Sequence, residues 1–195
     1  MNVVSNNCIG GYLYKLTNQQ YSNPFMWTII AGGNMNKLCE NYDKMDFNNF
    51  EFTSHEINER HLNIDGVIVN FTHYKYDPLC LTPTKDKNDV FYCRSREYIV
   101  EKYKSRLTRI KNEPPIFVAD DNSDTYFNSN RKKRFLQMDT PYVRILLTTD
   151  KEFEKYNDPS KNIFVIIKTT GNVEQLAKQL IEKFPQLFSN KKIVK

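Results

Sequence analysis

Short apolar runs alternate with helix-period stripes along most of this chain, and that alternation restricts it to a layered α/β fold with parallel strand pairs. The strongest runs are residues 67–73, 116–119, 142–148 and 163–168, rich in Val, Ile and Leu. Residues 2–5 begin apolar and turn polar at Ser5, as a buried strand with a ligand-facing end does. Residues 25–31 form a continuous apolar run that reads as a further buried strand, and 50–53 as a short edge strand. Between the runs, 10–17, 35–42, 96–110, 127–138 and 173–184 carry apolar residues at helical spacing. In 96–110 the stripe is Ile99, Val100, Tyr103, Leu107 and Ile110, and Pro114 with Pro115 stops it. The reading is one three-layer domain over residues 1–195, with a mixed but mostly parallel sheet and helices on both faces. Residues 78–88 hold two prolines and mixed charge and read as a loop, the best place for a mobile insert.

Composition narrows the function classes. A hydrophobic share of 39% is globular, and a net charge of +5 is mild for this length. The basic run Arg131, Lys132, Lys133, Arg134 and the lysines 191, 192 and 195 are the compact basic stretches. A charge run is ordinarily a solvated face, and no nucleic-acid fingerprint accompanies these, so nucleic acid is not the expected partner. Met1 leads straight into a strand-like segment, which argues against a signal peptide, and no apolar run approaches a membrane span. The four cysteines, Cys8, Cys39, Cys80 and Cys93, form no paired zinc-ribbon spacing. A cytoplasmic setting with reduced thiols follows, with no metal and no cofactor called for. His55 and His61, near Glu56 and Glu59, lack the i, i+4 spacing of a helical metal pair.

In open α/β sheets the ligand lies beyond the carboxyl ends of the strands. Three strand ends here carry reactive residues: Ser5, Asn6, Asn7 and Cys8 after the first, His73 after the run 67–73, and Asp120 with Asp121 after 116–119. If these strands lie side by side, a thiol, an imidazole and a carboxylate converge at one edge. Cys8 would stand at a helix N-terminus, where the dipole and unpaired amides favour a thiolate. Gly10 and Gly11 would let a ligand approach the backbone, whose amides could cradle an oxyanion. His73 would be the general base, oriented by Asp120 or Asp121. Taken singly, a buried small cysteine, a structural histidine and a turn aspartate pair are each more ordinary. Asn6, Asn7, Arg106, Arg109 and the polar residues 122–130 complete the candidate ligand-binding set, with Arg106 and Arg109 on one helix face.

The segment Val4 to Gly11, with Tyr21 to Phe25, resembles the domain-of-unknown-function family numbered nineteen-nineteen, often labelled exopolysaccharide biosynthesis protein. The resemblance runs on through Phe71 to Tyr74, Lys104 to Ile110 and Ile116 to Asp121, and so covers most of the chain. That family is itself similar to papain-like cysteine peptidase families, which makes an α+β papain-like arrangement the alternative fold. The resemblance implies acyl-transfer or hydrolytic chemistry in a polysaccharide or capsule setting, with a small-molecule or saccharide substrate. By position it assigns Cys8, His73 and the Asp120–Asp121 pair to the family's early cysteine, strand-end histidine and acidic turn. Ile9 stands where the family often has an aromatic residue, and the 78–88 loop is longer than usual. A non-catalytic module that holds a sugar or nucleotide in the same pocket is the competing reading.

Overall fold

A computed structural model of the chain describes residues 1–21, 23–53, 61–71, 96–110, 113–121, 127–169 and 171–188. In chain order the elements are β1 (Val3–Ser5), α1 (Ile9–Leu16), α2 (Gly32–Asn41), β2 (Phe50–Phe52), β3 (His61–Ile64), β4 (Val67–Asn70) and α3 (Arg96–Leu107). They continue with β5 (Ile116–Asp120), α4 (Ser129–Gln137), β6 (Val143–Thr148), β7 (Ile163–Ile167), α5 (Val173–Lys183) and α6 (Pro185–Phe188). The strands form two sheets: a parallel one ordered β1-β5-β6-β7, and an antiparallel one ordered β2-β3-β4. This is a mixed α/β fold. The antiparallel strands sit in a sheet of their own instead of on the edge of the parallel one.

All five residues of β5 are buried, as a strand covered on both faces requires. Across the parallel sheet Val4 lies beside Phe117, Phe117 beside Arg144, and Arg144 beside Ile163. Paired residues share a face, and neighbours along a strand alternate. On one face, the Phe117 ring meets Tyr42, just past α2, at 5.7 Å, and Arg144 donates to the α4 carbonyls of Phe135 and Leu136. On the opposite face, the Phe164 ring lies 4.9 Å from that of Phe184 at the end of α5, which packs along α1. Helices therefore cover both faces, giving three layers.

The second sheet leans on α2 and α3. Tyr103 of α3 sets its ring 4.9 Å from Phe50 and 5.9 Å from Phe71. One short stretch joins the two sheets: Ile29 pairs with Asn70, and Ile30 donates its amide to the Asn6 carbonyl at 3.2 Å.

Several elements differ from the sequence expectation. Residues 25–31 are a buried turn with a single bridge at Ile29, not a strand. Trp27 has φ +60°, outside the strand region. Asn23 organises the turn, donating to Val3 O at 2.7 Å and accepting from the Phe25 amide at 2.9 Å. An apolar run reports burial, and here side-chain amides, not a ladder, satisfy the backbone. Strand β3 went unread, because its polar His61 and Asn63 alternate with buried Leu62 and Ile64 for only four residues. α2 starts at Gly32, ahead of the expected 35–42. The third helix stops at Leu107, so Arg109 lies beyond its end instead of on a shared helical face with Arg106. Of the expected strand 67–73, β4 covers Val67–Asn70, and the 78–88 loop lies outside the described residues.

Candidate functional site

The loop from β1 to α1 is fastened at the carboxyl rim of the parallel sheet. Asn6 clamps the end of β5 from both sides: Nδ2 donates to Asp120 O at 2.9 Å, and Oδ1 accepts the Asp120 amide at 2.9 Å. Asn7 bridges strand end and helix start, donating from Nδ2 to Asp120 Oδ2 and accepting the Ile9 amide on Oδ1, each at 2.9 Å. The Ser5 hydroxyl donates to Asn7 O at 2.6 Å and accepts the Gly10 amide at 3.0 Å. Asparagine and serine suit this place because their short side chains reach the unpaired amides of a helix start.

Cys8 occupies the N-cap position of α1 with φ −71° and ψ 0°, and its side chain does not cap the helix. From Asn2 to Gly11 every residue is buried except Cys8, which is half-buried. Its thiol is in no disulfide. Cys39 is the contrast: fully enclosed, with burial pushing its pKa up to about 12.

Below this loop lies a cluster the sequence reading missed. Lys168, just past β7 and wholly buried, pairs with Asp120 Oδ1 and lies 2.6 Å from Asp121 Oδ1. The latter contact is an ion pair off hydrogen-bond geometry, since Asp121 Oδ1 accepts no aligned hydrogen bond. Asp121 Oδ2 accepts from the Thr148 hydroxyl and from Lys132 Nζ, the latter at 3.2 Å. Burial raises the Asp121 carboxyl, but the close contact and charge of Lys168 and the hydrogen bonds from Thr148 and Lys132 outweigh it and hold the group below its ordinary value. Two carboxylates and two ammonium groups make the cluster neutral. The strand-end rule that picked out Asp120 picks out Lys168 equally well, since it ends the apolar run of β7.

The expected site residues divide. Asn6, Asn7, Cys8, Asp120 and Asp121 do come together at one rim, and Asp120 is the carboxylate joined through Asn7 to the loop bearing Cys8. His73 and Asn122 lie outside the described residues. Gly10 and Gly11 are buried and make room for protein, not ligand: a Cβ on Gly10 would sit 2.8 Å from Ser5 Oγ, and one on Gly11 2.4 Å from Trp27 Cε2. Of the expected oxyanion amides after Cys8, that of Gly10 already has an acceptor in Ser5, as does that of Ile9 in Asn7. Arg106 is a buried strut. Its Nη1 donates to Met26 O at 2.9 Å and its guanidinium lies 5.4 Å over the Tyr21 ring, so it faces the protein interior. Arg109 is half-buried and donates to Ser105 Oγ at 3.1 Å. Among the described residues, no helix is long and apolar enough to cross a membrane.

No protein-family model matches this chain, and no curated protein matches it.

Proposed function

We propose that the chain is a cysteine-dependent acyl-transfer or hydrolytic enzyme of surface-polysaccharide biosynthesis, working in the cytoplasm with Cys8 as nucleophile. The observation that carries this is the solvent access of Cys8 alone within the otherwise buried stretch from Asn2 to Gly11, at a helix start on the carboxyl rim. A thiolate there is favoured by the α1 dipole. In this reading the thiolate attacks an acyl carbonyl, and the leaving group departs with a proton supplied by His73. The resulting thioester then passes its acyl group to a sugar hydroxyl or to water. Asp120, tied to Asn7 and Lys168, fixes the loop that presents Cys8. The family resemblance of the Val4 to Gly11 segment suggests the saccharide setting.

Alkylation tests the nucleophile. In a Cys80→Ser/Cys93→Ser background only Cys8 and Cys39 remain, and Cys39 stays silent because burial keeps its thiol protonated. Cys8 is expected to react with iodoacetamide roughly tenfold faster than glutathione at pH 7. A rate equal to glutathione's sinks the nucleophile.

One observation favours the non-catalytic module instead: the first two α1 amides are already satisfied, which leaves a poorer cradle for an oxyanion. That module would retain ligand-dependent thermal stabilisation in a Cys8→Ala protein, while the wild type turned nothing over.

A further inference from the structure

A cleft of about 670 Å³ opens at the amino rim of the parallel sheet, across the molecule from Cys8, and Arg144 at the start of β6 forms part of its wall. Arg144 is only 2% exposed. Its Nη1 donates to Phe135 O at 3.0 Å and Leu136 O at 3.1 Å, closing the last turn of α4. The other edge of the guanidinium is unmatched. Among the described residues, Nε is buried with no hydrogen-bond partner, and Nη2 makes no hydrogen bond. Among the described residues no ion pair joins Arg144 to a carboxylate. Arginine stays charged even when buried, and buried charges are ordinarily paired. The carbonyls at the α4 C-terminus offset part of this charge, but they engage only one of its three nitrogens.

The same cleft supplies what a pairing anion would need. Lys155 and Lys161 line its rim, and Thr140 lies in its wall. Asp158 lines the cleft too, but its carboxylate already accepts from Ser160 and lies 3.5 Å from Lys161. Asp139, also in the wall, acts on Arg144 through space without forming an ion pair. Nε and Nη2 together make the side-on fork that matches two oxygens of a phosphate or carboxylate. We propose that this cleft is a binding site for a small multivalent anion, a phosphate- or polycarboxylate-bearing molecule, held by Arg144 with Lys155 and Lys161. The site is separate from the Cys8 rim and stands whether or not Cys8 is a nucleophile.

Calorimetric titration of the full chain with sodium pyrophosphate and, separately, sodium citrate at fixed ionic strength tests this. Saturable one-to-one binding of at least one probe is expected. Pyrophosphate alone would assign a phosphate ligand, and citrate alone a carboxylate ligand. Both lysines are exposed, so Lys155→Glu/Lys161→Glu should leave the protein folded while weakening binding about tenfold or more. Arg144→Met should abolish binding. If that variant does not fold, the lysine pair decides. No saturable binding of either probe overturns the proposal. So does unchanged affinity in the charge-reversed pair, or binding lost instead on Arg131→Glu/Lys133→Glu.

Discussion

Gly11 and Gly33 look alike in the sequence, yet the same substitution at each should have opposite effects. A Cβ on Gly11 would lie 2.4 to 2.8 Å from three atoms of the Trp27 ring. That ring is held by a backbone at φ +60° and by the Tyr12 ring, 5.1 Å away edge-on, so it has little room to retreat. Gly11→Ala should therefore destabilise the fold by about 1–3 kcal/mol, the usual cost of forcing atoms into a filled core. At Gly33, an exposed position in the first turn of α2, a Cβ would meet only the Arg131 guanidinium at 3.8 Å. Gly33→Ala should stabilise by about 0.4–1 kcal/mol, through the unfolded chain's lost freedom. Urea denaturation of both variants checks the pair. Two variants shifted the same way would show that the Trp27 contact is not the constraint. The Gly10–Gly11 pair signals a close approach in the sequence, but a missing Cβ looks the same whether ligand or indole fills its place.

Strand ends were the most legible elements, because a buried parallel strand advertises itself by apolar content and its last residues must face the rim. That reasoning put Asn6, Asn7, Cys8, Asp120 and Asp121 at strand ends, and the structure places them on one rim. It missed Lys168, because a lysine after an apolar run reads as the return to solvent. In fact the side chain folds back, wholly buried, onto two carboxylates. It failed at 25–31, where side-chain amides replaced a ladder, and at β3, whose few residues carry too little pattern. The Lys168 pairing gives the element-scale prediction. Lys168→Met removes the cation from beneath Asp120 and Asp121 and leaves the buried Asp120 carboxylate and the half-buried Asp121 with Lys132 alone to balance them. Breaking a buried pair in this way costs about 3–5 kcal/mol. Asp120→Asn in the Lys168→Met background should recover part of that loss, since it relieves one uncompensated charge. Guanidinium denaturation of the single and double variants measures it. A double variant no more stable than the single would mean that Asp120 and Lys168 are not coupled.

Across the whole molecule, charge is arranged more tightly than its net value of +5 suggests. Arg106, Lys132, Arg144 and Lys168 are all buried, and among the described residues Lys132 and Lys168 meet their counter-charges at Asp120 and Asp121. Acid should therefore attack the fold at this one cluster. The Asp121 carboxyl is held below its ordinary value of 3.8: burial alone would raise it, but Lys168, Thr148 and Lys132 overcome that. A group whose folded value is depressed stabilises the native state fully above its unfolded value, and loses that contribution as pH falls through the folded value. Stability should therefore hold from neutrality down to about pH 5, then fall steadily once the pH drops below the ordinary carboxylate range. Protonation there also uncovers the charges of Lys132 and Lys168, which adds self-repulsion to a chain already net positive. Asp121→Asn separates this cluster from the other carboxylates. Its deficit relative to wild type should be constant above about pH 5 and shrink as pH falls below the ordinary carboxylate value, because the wild type is then losing the same interaction. Urea midpoints of the two proteins across that range give the answer. A deficit that stays constant into strong acid would place the acid sensitivity elsewhere than the Asp121–Lys168 contact.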